Sequence, residues 1–417
     1  MKKFIIITAF LTGTVWQGHS QVSLEECRRL ARENYPLIRQ LELVEKSREL
    51  NLSNIARSWL PQLGITGMAA VIDGIPDIVL LGTTTETDNY HFVGIANLSQ
   101  ALWDGGHSRS KRRITHAEAE VEKKSIEVEL YKVSERVDQL FFGILLADEQ
   151  LKQTDILRQL LESNLHRAEI AVMNGIAYPS DMDKIEVELL HTEQTLINLQ
   201  ACRKSYCQML SLMTKTEITP QTMLVKPTQM IHTLDREINR PELHLFESQR
   251  TLNDARHFAV TSSYMPKIGL KGYAVGISPG ISFGNNKLNH LLMAGISLSW
   301  NIGGLYTQYN ERNKIKINNR MIDARQETFK VNTHIELSKQ DNEIERFQRL
   351  IDKDKEIAQR RESIKNASEV RYEHGACTMT DLINDIHAEN LARQTKAHHE
   401  IEFLMYLYQR QTTSGNQ

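Results

Sequence analysis

Proline is scarce and unevenly spread. The nine in this 417-residue chain stand at 36, 61, 76, 179, 220, 227, 241, 266 and 279, with none between Pro76 and Pro179 and none after Pro279. Leu305 to His374 holds neither proline nor glycine and is rich in Glu, Lys, Arg, Gln and Ile. Without breakers, such a stretch is free to run as one helix. Aromatics reach only 6%, thin for a large globular enzyme. No sign of charge dominates: 50 Lys and Arg against 52 Asp and Glu leave −2, or −4 without Lys2 and Lys3. That balance excludes a basic field for nucleic acid. After residue 20 no apolar run approaches the roughly 20 residues of a spanning helix, so a membrane would have to be crossed by strands. The four cysteines (Cys27, Cys202, Cys207, Cys377) show no C-x-x-C or zinc spacing, and their pairing stays open. Phosphate-loop, H-E-x-x-H and G-x-S-x-G patterns are absent. Adjacent His398 and His399 would point apart on a helix, a poor chelate. We therefore expect no catalytic set, no metal site and no cofactor, with histidines at the surface and the charge run Asp352–Glu356 on a solvated helix face.

What is present begins with an address. Lys2 and Lys3 precede an apolar run from Phe4 to about Trp16 and then small and polar residues, the pattern of a secretory leader ending near Ser20. Ser23 and Glu26 have capping-box spacing and mark a helix start just beyond it. Apolar residues then follow coiled-coil spacing: Val133, Val137, Leu140, Ile144, Ala147, Leu151, and again Leu157, Leu161, Leu165, Ala168, Val172. The phase slips between the two blocks. Ile315, Ile322 and Phe329 repeat at seven, as do Ile344, Ile351 and Ala358. A helix from about Gly106 to Asn174 would be about 100 Å long.

The chain is also doubled. Tyr35-Pro36 matches Arg240-Pro241, and Trp59-Leu60-Pro61-Gln62-Leu63-Gly64 matches Tyr264-Met265-Pro266-Lys267-Ile268-Gly269, both offset by 205. Trp103-Asp104-Gly105-Gly106 matches Trp300-Asn301-Ile302-Gly303-Gly304, and Asn174-Gly175 through Asp181 matches His374-Gly375 through Asp381. Four matches in order set the organisation: leader 1–20, first half 21–213, linker 214–236, second half 237–411, polar tail 412–417. Each half also carries two alternating segments. Leu292, Ala294, Ile296, Leu298 and Trp300 interleave with Met293, Gly295, Ser297, Ser299 and Asn301, a strand with one greasy face. Lys267–Ser278, Leu63–Val71 and His91–Trp103 read similarly, the last less cleanly around Asn97. Strands of about ten residues suit a tilted membrane strand. Four cannot close a barrel, since bacterial barrels start at about eight, so the barrel would have to be shared between chains.

With these features the mature chain resembles the TolC family of outer-membrane efflux proteins. The carriers are the doubled half, Leu60-Pro61-Gln62-Leu63, Leu102-Trp103-Asp104-Gly105-Gly106, and the two glycine turns each followed by an aspartate. The resemblance implies a mostly α fold: a duplicated long-helix coiled-coil tunnel, with four β-strands per protomer forming a shared twelve-strand barrel in a homotrimer. It implies a passive exit duct, not an enzyme, embedded in outer-membrane lipid and extending into the periplasm. Its partners would be a periplasmic adaptor (membrane fusion) protein and an inner-membrane transporter, in efflux or type I secretion. An intermediate belt would come from about Lys215 to Arg236 and the C-terminal tail. The tips would touch the adaptor through Asn174, Gly175, Ile176 and Ala177 and through His374, Gly375, Ala376 and Cys377. The periplasmic entrance would be constricted at Asp381, Asn384 and Asp385, where a ring of carboxylates favours cations and could bind a plugging metal cation. A helix start alone also accounts for Asp181 and Asp381. The alternatives from the residues are a pore-free periplasmic coiled-coil scaffold and an exported helical enzyme. The first leaves the four strands and the doubled halves unexplained, and the second lacks clustered catalytic residues.

Overall fold

The computed structural model describes residues 22–71, 78–80, 83–85, 90–175, 177–228, 237–278 and 289–416. The expected leader, Ile176, most of both strand-connecting segments and residues 229–236 of the linker lie outside the described residues. The elements are α1 (Leu24–Asn34), α2 (Ile38–Arg57), β1 (Gln62–Val71), β2 (Ile78–Leu80), β3 (Thr83–Thr85), β4 (Tyr90–Trp103), α3 (His107–Met173), α4 (Pro179–Thr214), α5 (Pro241–Ser263), β5 (Lys267–Ser278), β6 (Asn289–Ser299), α6 (Leu305–Glu373) and α7 (Met379–Ser414).

The proline-free stretches become α3 and α6, of 67 and 69 residues. Each starts at an Asx side chain. Asp104 Oδ1 accepts from the Gly106 N–H at 2.9 Å and Oδ2 from the Ser108 N–H at 2.6 Å, while Asn301 caps the 3-10 turn Ile302–Gly304 that leads into α6, its Oδ1 accepting from the Gly304 N–H at 3.3 Å. These bonds satisfy amides that a helix start leaves without partners. At α1, Ser23 caps by accepting from the Glu26 N–H, but Glu26 turns to Arg29 instead of completing the box.

The chain forms two compact units, and neither is a sequence half. One takes Met1–Ile38, Glu129–Arg240 and Lys330–Gln417, the other Arg39–Val128 and Pro241–Phe329, so each unit draws on both repeats. In the first unit, one apolar cluster joins Leu24, Cys27 and Ala31 of α1 to Val137, Phe141 and Phe142 of α3, Leu210 of α4 and Leu404 and Tyr408 of α7. A second joins Leu157, Leu161 and Ala168 of α3 to Ile185 of α4 and Met379, Leu382 and Ile386 of α7.

Three expectations are corrected in this unit. The α3 seam does not slip: Val133, Leu140, Ala147, Thr154, Leu161 and Ala168 follow one another at seven residues, and polar Thr154 is only 2% exposed. Its hydroxyl is bonded to the Gln150 carbonyl at 2.8 Å, which satisfies it inside the seam. The run Asp352–Glu356 is not wholly solvated, because Asp354 is buried with its Oδ2 2.6 Å from Nδ1 of His399, a histidine that is accordingly not a surface one. Residues 412–414 are not a tail: α7 runs on to Ser414, where Gly415 caps it at φ +86° and Asn239 N–H donates to the Ser414 carbonyl at 2.7 Å. The described part of the linker, after α4 ends at Lys215 in the left-handed region, is packed rather than loose. Ile218 is buried, and Arg203, paired with Asp148, donates to the Pro220 and Thr222 carbonyls.

In the second unit α3 and α5 pack through Ala117, Leu252 and Ala255. Ser262 donates to the Ser110 hydroxyl at 3.0 Å, and Arg113 lies 4.5 Å over the Phe258 ring. The four long strands of this unit form one antiparallel sheet in the order β1-β4-β5-β6, with a separate β2-β3 pair.

Candidate functional site

The sheet is the first candidate. Its register places Leu63 opposite Leu98, Ile65 opposite Ala96 opposite Ala274 opposite Leu292, and Leu270 opposite Ile296. Directly opposed residues share a face, since side chains alternate along a strand. One face therefore collects Leu63, Ile65, Leu98, Leu270, Leu292, Ile296 and Leu298, and they are exposed: Ile65 by 79%, Leu292 by 75% and Ile296 by 76%. The other face carries Thr66, Asn97, Ser99, Lys267, Lys271 and Ser297 toward the helix-joined strand ends, with Ile95, Val275 and Leu291 further along. Asn97 fits the alternation after all. Gly64 stands opposite it, and a Cβ there would come within 2.5 Å of the Asn97 amide oxygen. β1 and β6 each pair on one side only, so both sheet edges lack a strand partner among the described residues.

The second candidate is the pair of glycine turns. Gly175 (φ +72°) ends α3 and Gly375 (φ +68°) ends α6, both left-handed with open space where a Cβ would stand. At the second turn Ala376 N–H donates to the Arg371 carbonyl at 2.7 Å and Gly375 N–H to that of Tyr372 at 2.9 Å, the paired bonds of a Schellman end. The first turn repeats the inner bond, from Gly175 to the Val172 carbonyl at 3.0 Å. The structure brings the two turns together: Arg167 Nη1 lies 3.0 Å from Glu373 Oε1, and the Leu161–Ile185–Leu382 cluster packs beneath. Asn174, His374, Gly375 and Ala376 are exposed, whereas Ala177 and Cys377 are half-buried, and Cys377 Sγ donates to the Ser368 carbonyl. Ile176 lies outside the described residues.

The three expected constriction residues divide. Asp381 and Asn384 are exposed on α7 and Asp385 is half-buried. Asp381 completes a capping box with Thr378: its Oδ2 accepts from the Thr378 N–H at 3.0 Å and hydroxyl at 2.6 Å, and its own N–H donates back at 3.2 Å. Those bonds from Thr378 hold the carboxyl below the usual range. Asp385 instead accepts from Ser368 at 2.5 Å, and Ser368 accepts from Arg371 Nη2 at 2.8 Å. Thr378, Ser368 and Arg371 were not among the expected residues. The Thr378-x-x-Asp381 spacing was legible as a cap, but the contact between Ser368 on α6 and Asp385 on α7 had no sequence signal.

No helix among the described residues is long and apolar enough to cross a membrane, and no cluster of three or more His, Cys, Asp or Glu there could hold a metal ion. No protein-family model matches the sequence, and no curated relative matches it. Solved structures do. The outer membrane protein VceC of Vibrio cholerae superposes with a TM-score of 0.67 at 12% identity, over 94% of this chain and 97% of that one. The Campylobacter jejuni CmeC outer membrane channel gives 0.67 at 13% identity, over 98% and 89%. The open state of the Neisseria gonorrhoeae MtrE outer membrane channel gives 0.65 at 14% identity, over 94% and 89%. At such identities the likeness is one of fold, and nearly whole chains share it: this chain has the fold of outer-membrane channel proteins.

Proposed function

We propose that this chain is one protomer of a trimeric outer-membrane channel, a passive exit duct with no catalytic role. The observation that carries the proposal is the sheet: four strands, two open edges and one exposed apolar face, within a fold shared with outer-membrane channels. Open edges leave a row of unpaired N–H and C=O groups, which a hydrocarbon environment tolerates only in a closed barrel. Four strands are too few to close, and three copies supply twelve. The apolar face would meet lipid and the polar face a water-filled lumen. The long helices argue the same way. Ile317, Ala324 and Val331, and Met321, Thr328 and Ile335, two series each spaced by seven residues, leave an exposed stripe on α6 that neighbouring copies would cover.

The leader would direct export, and the adjoining glycine turns would meet a periplasmic adaptor (membrane fusion) protein linked to an inner-membrane transporter. Asp381, repeated by threefold symmetry, would ring the entrance with carboxylates. Efflux and type I secretion use the same duct. The test is the mass of the species extracted by detergent from isolated outer membranes, corrected for bound detergent, followed by conductance in planar bilayers. A detergent-dependent assembly of three mature chains that conducts is the expected result. A monomer or dimer released without detergent would remove the barrel and leave the pore-free scaffold in its place.

A further inference from the structure

The four long strands contain no Asp, Glu or Arg, and their lysines are Lys267 and Lys271. Both are on β5 and, four residues apart, on the same face. The register makes that face the polar one: Lys271 stands opposite Ser99 and Gly295, and Lys267 opposite Ser299. Both lysines are exposed, and neither makes an ion pair among the described residues. Their neighbours on the face are uncharged: Gln62, Ser99, Ser297 and Ser299.

We infer that Lys267 and Lys271 form an anion-attracting section of the channel, a two-tier ring of ammonium groups that favours small anions over cations and retains polyanions. The inference rests on the channel reading, which sets the polar face toward a lumen and repeats it three times. Rings of like charge set the preference of a pore, and low-dielectric walls focus their field. The Debye length of about 10 Å at 0.1 M salt lets that field reach well into a lumen, whereas the roughly 3 Å length at 1 M does not. An ammonium held in no ion pair keeps its charge available to a passing solute. One carboxylate adjoins along the register: Asp104, one residue past the Trp103–Ile268 pair, whose oxygens are held by the Gly106 and Ser108 amides. With that group near and Asp381 at the proposed entrance, selectivity is compared between variants instead of being read from one protein.

The experiment uses the detergent-extracted assembly in planar bilayers under a KCl gradient, with sodium triphosphate as the polyanion probe. Relative to the native channel, Lys267→Gln/Lys271→Gln is expected to shift the reversal potential toward the potassium value and to lose block by triphosphate. Lys267→Glu/Lys271→Glu should shift it further, and Lys267→Arg/Lys271→Arg should keep the native behaviour. The native channel alone gives a second readout: block strong at about 0.1 M salt and lost at about 1 M. Conducting Gln variants with native reversal potential and native block would overturn the inference and leave the channel reading intact. An assembly that never conducts would overturn both.

Discussion

Among the side chains, Asp138 joins three helices through one buried carboxylate. Arg28 reaches it from α1 through Nε and Nη2 at 2.6 and 2.7 Å, and Thr412 of α7 donates to it at 3.3 Å. One carboxylate thus ties both ends of the described chain to α3. Burial pushes its pKa up, against the pull of Arg28. Removing one partner of such a buried pair costs more than the pair itself supplies, because the other charge is left without compensation. Asp138→Ala should therefore destabilise by about 3–5 kcal/mol, while Arg28→Met/Asp138→Leu together should cost clearly less. Thermal unfolding of the two variants checks the order, and a reversed order would refute the account. Cys27 sits in the same cluster, where burial pushes its thiol up to about 12. At neutral pH it is an inert thiol filling space.

Asp381 titrates the other way. Its pKa is depressed by the Thr378 hydroxyl and N–H, so the folded state favours the charged form. The stability it contributes is present above the ordinary carboxylate value of about 3.9 and is lost as pH falls through the lowered one. Amide exchange in the first turn of α7 should accelerate over that acid window in the native protein and stay flat in Asp381→Asn. Thr378→Ala should weaken the same turn by about 1 kcal/mol at neutral pH. Equal pH dependence in native and Asn proteins would dismiss the cap as the cause.

Among the elements, glycine matters for two distinct reasons. At Gly175 and Gly375 only the left-handed backbone is demanding, since nothing lies within 4 Å of a would-be Cβ. Gly375→Ala should cost about 1–2 kcal/mol, and Asn should be better tolerated. At Gly415 the backbone is equally left-handed, but a Cβ would stand 2.2 Å from the Asn239 carbonyl oxygen. Gly415→Ala should thus be markedly worse than Gly375→Ala in thermal melts, because both the conformation and the packing oppose it. The long helices carry a comparable subtlety. Thr333, Gln340, Phe347 and Asp354 form a buried seven-residue series on α6, three of them polar. Gln340 donates to Thr413 at 2.9 Å and Asp354 meets His399, so polar groups mark the alignment of α6 on α7. Polar residues at coiled-coil seam positions specify register at a cost in stability.

In the molecule as a whole, the decisive feature is that the compact units cut across the repeat. The β4–β5 ladder is the only one joining a strand of the first half to a strand of the second, among the described residues. Duplication thus produced halves that share one sheet, and among the described residues that sheet still ends in two open edges. If the barrel is shared between copies, the sheet completes itself only in the assembly, and the mass measurement proposed above decides that point directly.

The sequence by itself determined what depends on neighbours along the chain. Helix persistence follows from missing breakers, the turns from glycine where the backbone must go left-handed, and the strands from alternation. The doubling is a comparison of the chain with itself. These signals placed α3, α6, three of the four long strands and both turns within a residue or two, while the last strand begins at Asn289, three residues before the alternation at Leu292. Only the tertiary structure decided what depends on residues far apart. The strand order, the Ser368–Asp385 bond, the burial of Asp354 against His399 and of the supposed tail against Asn239 all join positions that no local pattern relates. A polar residue inside a seam reads as a break until its partner is seen, as at Thr154, because satisfaction of a buried polar group belongs to the pair and not to the residue.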